Sequence, residues 1–278
     1  MKSAKQIVFI AIGVVMILLA VGLIALKKGQ DSEVRTQEGE NGTRTFPGPV
    51  NTLIVEVGAS SIDVVEGEGN AYILSYEGLK YGTISDRCED GVLQITYRQK
   101  DNWPAKMFHD NDIDKQRITL TVPKDAILDS AVFEFGAAEI EMEGITAKEL
   151  YVTVGAGQLN AYNLTATELA KFSAGAGAFY ADDVVLTNAE LICGVGQMNI
   201  TGIFEGDTTA DCGVGSMELE VDGEQEAYRG DLNCGLGEID FGDISIEGSG
   251  NRSYGTSSAE RRMNIKCGIG EVDVRFED

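Results

Sequence analysis

Four cysteines, Cys193, Cys212, Cys234 and Cys267, each stand directly before a Gly-x-Gly pair, as in NCGLGEIDF over residues 233–241. Three chemistries answer to that arrangement. A thiolate at a tight turn is a nucleophile, four thiolates together hold zinc, and a Gly-x-Gly turn can cradle a phosphate. The acids Glu218, Asp240 and Asp273 add a fourth, because calcium takes six to eight oxygen ligands and could bridge a ladder of carboxylates. His109, the only histidine, lies in FHDND beside Asp110 and Asp112, as a metal corner or an acid–base group would.

The elements that must position these residues decide between the chemistries. A phosphate loop needs a strand, the glycines and then a helix whose N-terminus faces the anion. Here every Gly-x-Gly is followed by another alternating stretch, so that reading fails. Around a single histidine no Ser/His/Asp set can be assembled.

The chain is an internal repeat. Aligned on Gly58, Gly136, Gly155, Gly175, Gly194, Gly213, Gly235 and Gly268, the units read GASSIDV, GAAEIEM, GAGQLNA, GAGAFYA, GVGQMNI, GVGSMEL, GLGEIDF and GIGEVDV. From Gly136 to Gly213 the spacing is 19, 20, 19 and 19 residues, and the next two steps are 22 and 33. Four columns are apolar. Three residues before the glycine stand Val55, Phe133, Val152, Phe172, Leu191, Ala210, Leu232 and Ile265, and one before it Val57, Phe135, Val154, Ala174 and the four cysteines. Four and six residues after it come pairs such as Ile62 and Val64, Phe179 and Ala181, or Ile239 and Phe241. Polar residues fill the positions between, the pattern of strands with one buried face.

Parity shifts across the glycines, which predicts a bend there, with glycine allowing the backbone conformation it requires. A unit of about 20 residues with two short strands and two turns cannot close a core alone, whereas stacked units bury a continuous one. The expectation is an all-β chain, a β-solenoid or β-roll. Its structural rung residues are Gly136, Gly155, Gly175, Gly194, Gly213, Gly235 and Gly268 with Cys193, Cys212, Cys234 and Cys267.

That stacking tests the metal readings. Rungs about 4.8 Å apart string four cysteines over about 14 Å, so they cannot converge on one ion at about 2.3 Å. They share a column with Val, Phe and Ala and are expected as buried free thiols, a disulfide between neighbouring rungs staying open. Glu218, Asp240 and Asp273 fall nearly in register and are expected as a solvated face, with a cation ladder the alternative.

Composition sets the surroundings. The 278 residues carry a formal net charge of −23. Four of the 22 basic residues precede the first acid, Asp31, leaving 18 basic against 45 acidic residues and a charge of −27 beyond it. Such a surface repels nucleic acid and attracts cations or basic partners. Residues 7–26, IVFIAIGVVMILLAVGLIAL, are twenty consecutive uncharged residues, long enough as a helix to span a bilayer. The run ends in LKKGQ without a small-residue cleavage site, which favours an uncleaved anchor. Lysines flank both sides, but the tail adds the α-amino charge while the downstream flank soon turns acidic, and the positive-inside bias then favours the N-terminus inside and the acidic bulk outside. The expected organisation is a cytoplasmic tail (1–6), a transmembrane anchor (7–26), a flexible tether (27–50), an N-terminal β region (51–126) and solenoid repeats (127–278).

The order NTLIVEVGASSIDVVEG, GVLQITYR, RITLTVPKDAILDSAVFEFGAAEIEMEGI and then Gly-x-Gly rungs resembles the putative-adhesin, DUF4097-type β-strand-repeat family of bacterial envelope proteins. The resemblance covers residues 51–278. It implies an extended solenoid-like domain, often membrane-anchored, with no established activity and no catalytic residues to carry over. The chain departs from the family's common G-S-G-D rung by placing Ala, Val or Leu between most of its glycines, so roles tied to those polar rung positions do not transfer.

Three functions fit: a membrane-anchored structural or adhesion-like module of the cell envelope, a membrane-tethered sensor or regulator of an envelope stress response, and a β-helical carbohydrate-active enzyme. The third lacks the mixed carboxylate, basic and aromatic groove such enzymes use. No cofactor is called for. The expected partners are the membrane, through residues 7–26, and envelope proteins or cations.

Overall fold

The computed structural model describes residues 35–37, 41–79, 82–99 and 116–277. The expected tail, the expected anchor at 7–26, residues 27–34 and 38–40 of the expected tether, and His109 with its acidic neighbours lie outside the described residues.

Period-two alternation becomes strand throughout. In chain order these are β1 (Arg35–Gln37), β2 (Gly42–Pro47), β3 (Thr52–Val57), β4 (Ser61–Gly67), β5 (Ala71–Glu77), β6 (Gly82–Glu89), β7 (Val92–Gln99), β8 (Arg117–Pro123), β9 (Ile127–Phe135), β10 (Glu139–Val154) and β11 (Gln158–Ala174). They continue as β12 (Ala178–Thr187), β13 (Ala189–Cys193), β14 (Gln197–Glu205), β15 (Asp207–Cys212), β16 (Ser216–Asp222), β17 (Tyr228–Cys234), β18 (Glu238–Phe241), β19 (Ile244–Glu247), β20 (Gly250–Tyr254), β21 (Arg261–Cys267) and β22 (Glu271–Glu277). The described helical structure is one 3-10 turn, Gln225–Ala227. Successive rungs pair in parallel and in the register of the glycine alignment, for example Ile140 with Leu159 and Val154 with Ala174.

Each central rung has three sides, one more than the sequence columns revealed. In the rung of β10 the buried residues run Ile140 and Met142, then Ile145 and Ala147, then Leu150, Val152 and Val154. The inward set changes parity twice within one strand, and each change is a corner. The first is held by a backbone at positive φ in a column of Gly144, Asn163 and Asp183, and at the next rung the register shifts so that Gly202, also at positive φ, pairs with Val184. These residue types tolerate the left-handed region, Asn and Asp because their short side chains hydrogen-bond locally. The second corner is pinned by Asn188, at φ 52°: its Nδ2 donates to the Glu168 carbonyl at 2.9 Å and its Oδ1 accepts the Asp207 amide at 3.1 Å. The short side escaped the sequence reading because its apolar pair, Leu164 and Ala166 or Val184 and Leu186, lies between the columns that were followed.

The third corner is the Gly-x-Gly turn, where the glycines serve a purpose other than the one expected. None of Gly136, Gly155, Gly175, Gly194, Gly213, Gly235 and Gly268 has a positive φ. Close stacking is what excludes a side chain. A Cβ on Gly175 would sit 2.7 Å from the Gly155 carbonyl oxygen, and one on Gly235 would sit 2.6 Å from that of Gly268.

The rung order departs from chain order at both ends. β17 and β18 do not stack on β15 and β16. The last rung, β21 with β22, is inserted between them, pairing with β15 and β17 on one side and with β16 and β18 on the other. At the N-terminal end β3 and β4 lie between the outermost rung, β7 with β8, and the rung of β9 and β10. Antiparallel strands then cover the outer rungs. β6 lies on β7 and β5 on β8, while β20 lies on β17 and β19 on β18. Outermost parallel strands would otherwise offer unpaired edges for aggregation. Part of the presumed tether joins this cap: β2 pairs with β5, buries Phe46 and sets Arg44 against the buried Asp86. Its T-R-T-F alternation, short and polar, had read as linker.

One apolar core runs from Phe46 to Val274. Side chains from opposing sides meet within a rung, as where the Phe172 and Phe179 rings lie 5.1 Å apart. Phe241, Tyr254, Phe276 and Tyr228 close the C-terminal end, with ring centroids 4.2 to 5.4 Å apart.

Candidate binding surface

The cysteines form one buried column in the order Cys193, Cys212, Cys267, Cys234, the last two exchanged by the inserted rung. All five cysteines of the chain are free, and only Cys88 is exposed. The ladder thiols are turned toward the glycine corner. The Cys193 Sγ–H donates to the Ser216 carbonyl at 3.6 Å and that of Cys267 to the Gly270 carbonyl at 3.0 Å. The neighbouring Cys193 sulfur, and burial, push the Cys212 thiol up, and burial does the same to Cys267. A nucleophilic cysteine needs exposure and a lowered pKa. Cys212 and Cys267 have neither.

The acidic column is real but differently ordered. Glu218 faces Asp273, which faces Asp240. Arg275 occupies the place a cation would take: its guanidinium lies 2.5 Å from Glu218 Oε1 and 2.5 Å from Asp273 Oδ2. Among the described residues no three His, Cys, Asp or Glu side chains converge as metal ligands would. Further along, Glu238 faces Glu271 and Glu247 in register. Asp240 first, and then Glu247 and Glu271, push its carboxyl above the usual range.

The same side of the solenoid carries a feature the sequence reading missed. The column five residues after each glycine runs Glu141, Asn160, Tyr180, Asn199, Glu218 across adjacent strands. Asn160 Nδ2 donates to Glu141 at 2.7 Å and Asn199 Nδ2 to Glu218 at 3.0 Å. Gln197 joins in, accepting from the Tyr180 hydroxyl at 3.2 Å and donating to Asn199 at 3.2 Å. Tyr162, 48% exposed, stands diagonally across from Tyr180, and the two line a shallow groove of about 350 Å³ with Asn160, Asp182, Asn199 and Glu218. Amides and carboxylates fixed to one another beside two aromatic faces are equipment for recognition. The signal was present in the sequence, since amides recur at Gln158 and Gln197 and at Asn160 and Asn199, but these columns had been read only as solvent-facing.

Two solved structures align with the chain. A crystal structure titled "putative cell adhesion protein" from Clostridium sporogenes ATCC 15579 aligns over 86% of this chain and 100% of its own, with 13% identity and a TM-score of 0.34. Another, titled "putative adhesin" from Bacteroides fragilis NCTC 9343, aligns over 85% of this chain and 98% of its own, with 16% identity and a TM-score of 0.41. No curated relative matches. The family model described as Toastrack DUF4097 matches residues 50–274, the whole stack of rungs from β3 to β22, and the chain therefore belongs to the Toastrack DUF4097 family.

Proposed function

We propose that the chain is an adhesion-like interaction module of the cell envelope, anchored by residues 7–26 with residues 31–278 outside the cell, and that it binds rather than catalyses. The observation that carries this reading is the outer face built on Asn160, Tyr180 and Asn199. Asn160 is bonded to Glu141, Tyr180 and Asn199 are joined through Gln197 and on to Glu218, and Tyr162 lies exposed beside them. A rigid stack of rungs keeps such an array in register over its length, as a surface that grips an extended partner requires. The negative charge disfavours nucleic acid and suits a neutral or cationic envelope component.

The test has two parts. Protease added to intact cells should remove the acidic domain, and full protection of an expressed chain would overturn the orientation. Isolated envelope material should retain the purified chain, and Tyr162→Ser with Tyr180→Ser should release it without lowering the melting temperature. Equal retention of that double variant would remove the groove from the binding surface.

A further inference from the structure

Seven large apolar side chains are exposed among the described residues, and four of them form a single row. They are the middle residues of successive Gly-x-Gly turns, in spatial order Val195, Val214, Ile269 and Leu236, exposed by 67, 55, 63 and 76%. The amides of Val214, Ile269 and Leu236 donate at 2.8 Å to the carbonyls of Gly194, Gly213 and Gly268, so each residue sits one rung from the last. The same position in earlier rungs holds Ala137, Ala156 and Ala176. Stacking therefore does not require a large side chain here, and burial gives none a reason. Glycines on both sides leave the four aliphatic chains standing clear as a crest.

Along one flank runs the carboxylate row Glu247, Glu238, Glu271, with Asp240, Asp273 and Glu218 behind it. Arg275, the cation seated within this field, is already engaged by Glu218 and Asp273. Leu236, Ile269 and the three front glutamates bound an open concavity of about 550 Å³. Three rung steps make the crest about 14 Å long. Three turns of α-helix cover about 16 Å.

The charges select the occupant. A second copy of the chain would bring this carboxylate row against an equally acidic surface, and an anionic lipid headgroup would be repelled as well. A neutral apolar partner would leave the row uncompensated. We propose that the crest Val195–Val214–Ile269–Leu236 and the row Glu247–Glu238–Glu271 together dock a short basic amphipathic helix of a partner protein. Its apolar side chains lie on the crest and its Lys or Arg side chains over the carboxylates. Helix-on-surface recognition of this kind reads anchors at i, i+3, i+4 and i+7. The crowding that pushes the Glu238 carboxyl up is relieved when a cation arrives. The assignment is independent of the tyrosine groove and of where the chain is anchored.

The probe is a fluorescein-labelled 14-residue peptide of Leu and Lys with the Leu residues on one helical face, titrated by anisotropy into the full-length chain in a neutral detergent, with micelles alone as blank. Saturable binding is expected, weakened at least tenfold by Leu236→Ser with Ile269→Ser. An equal loss is expected with Glu238→Gln, Glu247→Gln and Glu271→Gln together, and a Leu/Glu peptide should not bind. All five substitutions fall on outward positions, and melting curves verify that the variants fold. No saturable binding, or equal binding by both variants, overturns the proposal. So does a loss confined to the glutamine variant, which would reduce the effect to bulk charge attraction. Sedimentation of the wild-type chain as a dimer that the serine variant dissolves would assign the crest to a second copy and overturn it too.

Discussion

Gly175→Ala tests the stacking directly, because glycine there is dictated by a neighbour and not by φ. The new Cβ would lie 2.7 Å from the Gly155 carbonyl oxygen, whereas a relaxed carbon–oxygen contact is about 3.3–3.6 Å. The two rungs must therefore separate locally by about 0.6–0.9 Å. Two hydrogen bonds hold them at this corner, Gly175 N to Val154 O at 2.8 Å and Ala176 N to Gly155 O at 2.7 Å. A separation of that size takes both beyond good geometry, at about 0.5–1.5 kcal/mol each, and strain in the packed core beneath adds about 1 kcal/mol. Reduced freedom of the unfolded chain offsets about 0.4–1 kcal/mol. The net expectation is a loss of about 1–3.5 kcal/mol, or roughly 2–14 °C in melting temperature for a domain of this size. Ala176→Val is the control: it adds more volume one residue away at an exposed position, where the next rungs already carry Val195 and Val214, and should leave the melt unchanged. Thermal and urea unfolding of both variants read the difference. If Gly175→Ala melts at or above the wild-type temperature, close approach is not what excludes a side chain from this column.

Four further outcomes follow from the same geometry. In the cysteine column Cys212, fully buried between Cys193 and Cys267, should tolerate Ala at about 1–2 kcal/mol, and Cys212→Asp should be worse than Cys234→Asp, whose site is 6% exposed on β17 in the outermost rung; reversed melting temperatures would contradict this order. Iodoacetamide should modify Cys88 alone in the native protein, slowly because burial pushes its thiol up, and all five cysteines after unfolding; rapid native labelling at Cys193 would place the column outside the core. Burial and then Glu56 push the Glu134 carboxyl up, as like charges do at Glu238, so the folded chain holds these protons more tightly than the unfolded one. The stability these two groups contribute is fully present below the unfolded carboxylate range and is lost as pH rises through their higher folded values, so the melting temperature should rise less on mild acidification from neutral pH in Glu134→Gln than in the wild type. At the positive-φ corner Asn163→Gly should be nearly neutral and Asn163→Val destabilising by about 1–2 kcal/mol; equal melting temperatures would mean the corner adapts its backbone.

Much of this was legible in the residues, and the failures have physical causes. Spacing of 19 and 20 residues with alternating columns was enough for rungs, register and the inward direction of the cysteines, because a strand's period of two leaves no other way to bury Phe172, Phe179 and Leu191 together. The short third side was not read, since two residues such as Leu164 and Ala166 make no visible period and its corner residues, Asn163 and Asp183, look like any polar pair. Rung order was illegible for a different reason. GLGEIDF and GIGEVDV present nearly the same side chains to their neighbours, and only pairing across the sheet distinguishes which lies against GVGSMEL. Asn160 and Asn199, which read as solvated, proved to be bonded to glutamates of the neighbouring rung, Glu141 and Glu218, and Arg275 reaches Glu218 in the same way. Those bonds depend on which strands are adjacent, a property of the stack and absent from any single repeat.

The inserted last rung also dictates an order of assembly. A chain made from its N-terminus reaches β17 and β18 before the rung that separates them from β15 and β16 exists, and so must leave a slot two strand spacings wide, about 9.6 Å. Until residues 261–277 arrive, four strands face that slot with unpaired backbone and the aliphatic side chains beneath are wetted. Filling it engages all four at once. A prematurely ended chain therefore does not shorten the rod by its tip; it leaves a gap one rung inside the end, open to proteases and to other strands. This end of the molecule thus carries its own check, in which residues 261–277 lock in place the rung that precedes them in the chain.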